Sequence, residues 1–190
     1  MANLIFLHVE TSALRAGDAV AVEAVHYCTD KKDVISRLGL ILKPHDPAAI
    51  WDARAETVSL INHATASFYG FDQTVAFNSV RSYIESVDDP TLVFASQRYV
   101  VDLSFLATLG LHVEYMDLMT IVRFYLMKYW QGVSDDIRYM LSINKLLRNW
   151  KIPFHQQLPF QTSTGQEIMS RGMAYRASQV FKHLLESSKT

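Results

Sequence analysis

Two ionisable side chains lie two residues apart where the first apolar run of the chain ends. The run Leu4–Leu7 is followed by His8-Val9-Glu10 and then by small residues. Alternate side chains of a strand face the same way, so His8 and Glu10 are expected on one face. Burying such a pair is unfavourable unless it is hydrogen-bonded, hydrated or bound to a metal. The pair is therefore a candidate functional position at this strand end.

His8 and Asp102 are two polar residues that could also have a purely structural role. Imidazole suits Zn²⁺, Mn²⁺ or Ni²⁺ better than Mg²⁺, so His8 is either a transition-metal ligand or a histidine that fills the cleft by hydrogen bonding. Asp102 follows the apolar run Thr91–Ala95 at the expected beginning of a helix. Aspartate favours the helix N-cap, so that is the structural role open to Asp102.

Composition limits the class of protein. With 190 residues, 49% hydrophobic and 19% charged, the chain is expected to form one soluble domain over residues 1–190. The single cysteine, Cys28, excludes an intrachain disulfide and a cysteine-based metal site. We expect a cytoplasmic protein, because no apolar stretch could span a membrane and no signal-peptide pattern is present. Phosphate-binding loops, Gly-x-Ser-x-Gly and His-Glu-x-x-His are also missing.

The net charge of −1 conceals an asymmetry along the chain. Residues 1–120 carry 8 basic and 15 acidic side chains, whereas residues 121–190 carry 10 basic and 4 acidic ones. The basic half either forms a nucleic-acid-binding face or consists of ordinary solvated helix faces. Its Lys and Arg residues are not concentrated in one run, which favours the second interpretation.

The order of elements predicts an α/β fold. Three β-type runs form an antiparallel meander, and shorter strands then alternate with helices, which indicates a mixed five-stranded sheet with helices on both faces. The predicted strands are Leu4–Val9, Ala19–Tyr27, Arg37–Leu42, Thr91–Ala95 and His112–Tyr115. The predicted helices are Ala53–Ile61, Asp72–Val87, Val101–Leu109, Asp117–Trp130, Ser142–Asn149 and Thr164–Glu186.

Together these features resemble the DnaQ-like 3′–5′ exonucleases of the RNase H-like fold. His8-Val9-Glu10-Thr11-Ser12-Ala13-Leu14 is similar to the family's first motif, Asp-x-Glu-Thr-Thr-Gly-Leu. Val101-Asp102-Leu103-Ser104-Phe105-Leu106 is similar to its second conserved segment. The resemblance covers nearly the whole chain and continues to Ile152-Pro153-Phe154-His155 before the final helix.

The resemblance implies two-metal phosphodiester hydrolysis with four carboxylates and a general base. Glu10 and Asp102 match two of the carboxylates, whereas His8 replaces the first. Aligning the last motif on Ala174 puts Ile168 at the general-base position and Met173 at the fourth carboxylate. We therefore expect catalysis to be lost or strongly impaired, with no cofactor unless a divalent metal (Mn or Mg) supports a residual activity.

Three functions remain open at this point. A degenerate exonuclease domain could bind single-stranded nucleic acid in the old cleft. An active Mn-type exonuclease could use His8, Glu10 and Asp102 around one metal ion. A regulatory subunit could bind a protein partner or form a homodimer through the helix Asp117–Trp130. The first hypothesis assigns phosphate contacts to Arg148, Lys151, Arg171 and Arg176, and base stacking to Tyr99 or Trp150.

Overall fold

The computed structural model describes residues 2–13, 17–46, 48, 51–95, 99–129, 142–155 and 157–188. The strands are β1 (Asn3–Thr11), β2 (Ala19–Cys28), β3 (Asp33–Ile41), β4 (Pro90–Phe94), β5 (Tyr115–Asp117), β6 (Leu158–Gln161) and β7 (Glu167–Ser170). The helices are α1 (Ala53–Ser59), α2 (His63–Tyr69), α3 (Gln73–Glu85), α4 (Tyr99–Leu109), α5 (Leu118–Tyr129), α6 (Ile143–Asn149) and α7 (Met173–Ser187).

The strands form one mixed sheet with the order β5-β4-β1-β2-β3-β6-β7. β1, β2 and β3 pair antiparallel, while β4 pairs parallel to β1 and β5 parallel to β4. The predicted RNase H-like α/β architecture is therefore confirmed. Two strands come in addition to the predicted five, because β6 and β7 form a hairpin that joins β3 through a parallel pairing of Leu40 and Gln161.

Helices cover both faces of the sheet, as the alternation of β1 requires. Leu4 and Phe6 pack with α5, α6 and α7 on one face. Ile5 and Leu7 pack with α3 and α4 on the other. His8 and Glu10 continue the Leu4–Phe6 series, so they lie on the face that α7 covers.

The helix predicted over Asp117–Trp130 corresponds to α5, with Trp130 outside the described residues. Leu118, Met119 and Val122 are buried in the core, whereas Phe124 is 68% exposed. The helix is thus mainly a core element. None of the described helices is both long and apolar enough to cross a membrane.

The predicted helix Thr164–Glu186 is wrong in its first nine residues. A turn leads into β7, and α7 begins only at Met173. Gly172 has φ +63, a left-handed conformation that a right-handed helix cannot continue through. Thr164 caps no helix; its hydroxyl lies 3.1 Å from that of Thr162. Strand pairing, which places Ile168 opposite Phe160, prevails here over the capping-box pattern.

Replacing Gly172 by alanine should destabilise the protein more than replacing Gly110. Both glycines have nearly the same φ, +63 and +65, but a Cβ on Gly172 would lie 2.5 Å from Leu158 Cδ1, whereas Gly110 is open. The left-handed backbone alone costs about 1–2 kcal/mol, and overpacking adds about 1–3 kcal/mol. Chemical denaturation of both variants measures the difference. Equal losses would show that Leu158 moves aside without cost.

Candidate active-site cleft

The cleft begins where β1 extends beyond β4. The β1–β4 pairing ends at Leu7 and Phe94, which leaves the next backbone groups of β1 without a strand partner on that side. Asp102 supplies one, since its Oδ1 accepts a hydrogen bond of 2.9 Å from the Val9 N–H. Asp102 is the fourth residue of α4 and fully buried, so the N-cap interpretation is wrong. Its carboxylate instead attaches α4 to β1.

His8 lies between two carboxylates. Its Nε2 is 3.3 Å from Glu10 Oε1, and its Nδ1 is 3.8 Å from Asp102 Oδ1. The His8 side chain is 12% exposed and that of Glu10 is 14% exposed. The three residues that the sequence analysis assigned to the cleft therefore do meet there, and His8 lies at their centre.

The surroundings of His8 favour its charged form. Burial lowers the pKa of this imidazole, but the attraction of Glu10, their hydrogen bond, and the charges of Asp102 and Glu23 together outweigh burial. The net result raises the pKa of His8 from 6.5 to about 9. At neutral pH the cleft thus contains an imidazolium cation, which reduces the repulsion among the carboxylates.

Glu23 is the cleft residue that the sequence analysis missed. It pairs with His8 across β1 and β2 and is 2% exposed. Its Oε1 accepts a hydrogen bond of 2.6 Å from Arg37 Nε, and its Oε2 accepts one of 2.7 Å from the Ala174 N–H. Because Gly172 cannot cap α7 with a side chain, Glu23 caps that helix from the neighbouring strand. The sequence did contain a signal for this role, because Glu23 is a charged residue in the middle of the apolar run Ala19–Tyr27.

The two positions assigned to the lost last motif contain only apolar side chains. Met173, the first residue of α7, packs against the core beneath α5, α6 and α7. Ile168 lies on β7 and packs with Trp51 against a separate small cluster. Neither offers a carboxylate or a base.

The predicted nucleic-acid contacts do not all converge on the cleft. Arg176 is 5% exposed, donates a hydrogen bond of 2.6 Å to Asn144 Oδ1 and lies over the Phe154 ring, so it joins α7 to the 142–155 segment. Arg171 directly precedes Gly172, the N-cap of α7, and its guanidinium donates a hydrogen bond to the Thr57 carbonyl on α1.

The remaining contacts lie elsewhere or are not described. Arg148, Trp150 and Lys151 lie at the end of α6, and Trp150 stacks on His183. His183 lies ten residues after Met173, about 15 Å along the helix axis. The Tyr99 side chain is outside the described part of the structure.

The donors present do not fit the two-metal arrangement of the family. Asp102 Oδ1 is occupied by the Val9 N–H, Glu23 by Arg37 and α7, and Glu10 by the His8 imidazole. Within the described ranges, no three His, Cys, Asp or Glu side chains are arranged to hold a metal ion. A cationic imidazole between the carboxylates also repels a second cation. The cleft instead forms a closed network of ion pairs.

His8 should titrate near pH 9, well above an ordinary histidine. Since its folded-state pKa is raised, its contribution to stability is complete below pH 6.5 and is lost as the pH rises through about 9. The shift corresponds to about 3 kcal/mol. NMR titration of the imidazole signals provides the measurement. His26 serves as an internal control, because burial and then Lys31 lower its pKa below 6.5. A His8 signal that titrates at or below pH 6.5 would contradict the ion-pair network.

Glu23→Ala should destabilise the protein by about 3–5 kcal/mol, because the change leaves Arg37 and the α7 N-terminus without their buried partner. The exposed Arg81–Glu85 pair on α3 is the control. Glu85→Ala should cost no more than about 0.5 kcal/mol. Urea unfolding compares both variants with the wild type. Similar effects would mean that Glu23 does not hold α7 in place.

Comparisons with solved structures identify the fold that contains this site. Neither a protein-family model nor a curated protein sequence matches the chain. Among solved structures, exonuclease X in complex with 5′ overhanging duplex DNA matches with a TM-score of 0.60 and 14% identity, over 98% of this chain and 93% of the other. Cell-death related nuclease 4 matches with a TM-score of 0.71 and 10% identity, over 97% and 64%.

Exonuclease I from Methylocaldum szegediense matches with a TM-score of 0.71 and 12% identity. The match covers 98% of this chain but 41% of that protein, so the chain corresponds to less than half of the longer exonuclease. Identities this low are informative about architecture and not about activity. The chain has the RNase H-like fold of the DnaQ-like 3′–5′ exonucleases.

Proposed function

We propose that this chain is an exonuclease-fold domain that has lost two-metal hydrolysis and binds single-stranded nucleic acid at the cleft. The observation that carries the proposal is the position of His8, whose imidazole lies between Glu10 and Asp102. The same place in the family's motif carries a carboxylate. A side chain with the opposite charge there supports binding without hydrolysis.

Charge compensation in the cleft lowers its repulsion of a nucleic-acid ligand. The His8 imidazolium and the Arg37 guanidinium offset two of the three carboxylate charges, so phosphates are repelled less than by carboxylates alone. Arg171, which directly precedes the N-cap of α7, supplies a further positive charge, whereas the helix N-terminus itself is already occupied by Glu23. Structural neighbours of this fold include a complex of exonuclease X with DNA and a 3′-exonuclease that recognises the 3′ end of a histone mRNA stem-loop.

Salt-dependent binding tests the ligand. Labelled single-stranded oligonucleotides should bind the wild-type protein at low salt, and Arg171→Ala should reduce the slope of log K against log salt by about 0.7, the value for one phosphate contact. Arg81→Ala on α3, on the opposite sheet face, is the matched control and should leave the slope unchanged. A wild-type protein that binds no strand, or binds independently of salt, would contradict the proposal and favour a protein partner.

Nuclease assays test the loss of hydrolysis. We expect end-labelled single strands to stay intact with Mg²⁺, Mn²⁺ or Zn²⁺, because two carboxylate positions are filled by His8 and Met173 and the general-base position by Ile168. The alternative function is a Mn²⁺-dependent exonuclease. The observation that favours it is the convergence of His8, Glu10 and Asp102. Degradation with Mn²⁺ that disappears in Glu10→Ala would establish that enzyme and overturn our assignment.

A further inference from the structure

A concave site lies at the end of α7 far from His8 and Glu10. It is a surface pocket of about 300 Å³ between the end of α6 and the last turns of α7. Its walls combine an aromatic side chain, Trp150, with the polar side chains of Lys151, Gln179, Lys182 and Glu186. The mixture of a flat ring with charged groups of both signs distinguishes it from an apolar packing defect.

The Trp150 ring packs at the edge of the core and contacts two neighbouring rings. Its ring stacks on His183 with centroids 5.1 Å apart and planes 26° apart. Tyr125 supports it edge-on, with centroids 6.4 Å apart and planes 70° apart. A planar ligand that stacks on a fixed indole loses less conformational entropy than one that must first order the ring.

The backbone of Lys151 points to a role for its side chain. Lys151 has φ +55, a conformation in which glycine is the favoured residue. The residue ends α6, where the Ile152 N–H donates a hydrogen bond of 2.8 Å to the Leu147 carbonyl. Lysine at this position is strained relative to glycine, and the residue lines the pocket. Lys182 adds a second ammonium, 3.7 Å from Asp33.

We propose that this pocket binds one nucleotide unit of a single strand, with the base stacked on Trp150 and the phosphate contacted by Lys151. Glu186 and Gln179 then face the edge of the base. A carboxylate accepts hydrogen bonds but donates none, so Glu186 favours the bases that have an exocyclic amine (adenine, cytosine and guanine) over uracil, which has none. The inference that the nucleotide belongs to a single strand rests on the proposed function. Binding of a nucleotide to the pocket can be tested independently of that function.

The test follows the Trp150 indole N–H signal, assigned with Trp150→Phe, during NMR titration. AMP and UMP test the isolated nucleotide, and an oligoadenylate of about 12 nucleotides tests the strand. We expect AMP to shift the signal with at least about fivefold higher affinity than UMP, a difference in the range that one base-edge contact provides. If neither AMP nor the oligonucleotide shifts the signal, the proposal that this pocket binds a nucleotide is overturned.

Lys151→Gly separates a binding role from a structural one. Relief of the left-handed strain should raise Tm by about 2–4 °C, while AMP affinity falls by about fivefold or more. Lys145→Ala, on the exposed side of α6, is the control and should change neither value. Unchanged AMP affinity in Lys151→Gly would overturn the assignment of the phosphate contact.

The outcomes separate this inference from the proposed function. If single strands bind with salt dependence but do not shift the Trp150 signal, the proposal that the pocket binds a nucleotide is refuted, and the proposal that the cleft binds nucleic acid is retained. AMP binding at Trp150 without binding of any strand would refute the proposed function and keep the pocket, whose ligand would then be a free nucleotide.

Discussion

Three carboxylates gathered around one buried histidine determine how the cleft end of this molecule is built. Glu10, Glu23 and Asp102 would repel one another in a partly desolvated cleft without a cation between them. In the family that this fold resembles, metal ions supply that cation, whereas here the His8 imidazolium does so. The same carboxylates also organise the backbone. Asp102 attaches α4 to β1, and Glu23 caps α7.

This double use of the carboxylates couples the charge of the cleft to the stability of the fold. A carboxylate that accepts hydrogen bonds from a backbone N–H and a guanidinium has few lone pairs left for a metal. Glu23 is fully committed in this sense, because it binds both Arg37 and the first turn of α7. Arg171 directly precedes α7, so its position depends in turn on the contact between Glu23 and this helix. Charge compensation, helix capping and the proposed binding surface therefore depend on the same few contacts.

The architecture could be predicted from the sequence where periodicity was strong. The apolar run of β1, the meander β1–β3 and the amphipathic pattern of α3 all led to the correct elements. The prediction failed between Thr164 and Gly172, since Thr164 and Glu167 have the local features of a capping box. Pairing of Ile168 with Phe160 is a non-local interaction, and no window of the sequence contains it. α2 was missed although α1 and α6 have the same length, because only Ala66 of its seven residues is buried and the apolar periodicity is therefore weak.

The sequence alone determined that His8 and Glu10 share one face of a strand, because side-chain alternation is a local property of the backbone. It also determined that Ile168 and Met173 carry no acid or base. Only the tertiary structure showed that Asp102 and Glu23 complete the network, since both reach His8 through pairings between distant segments. It likewise separated Trp150 and Lys151 from the cleft, because the length of α7 determines their distance and residue types do not.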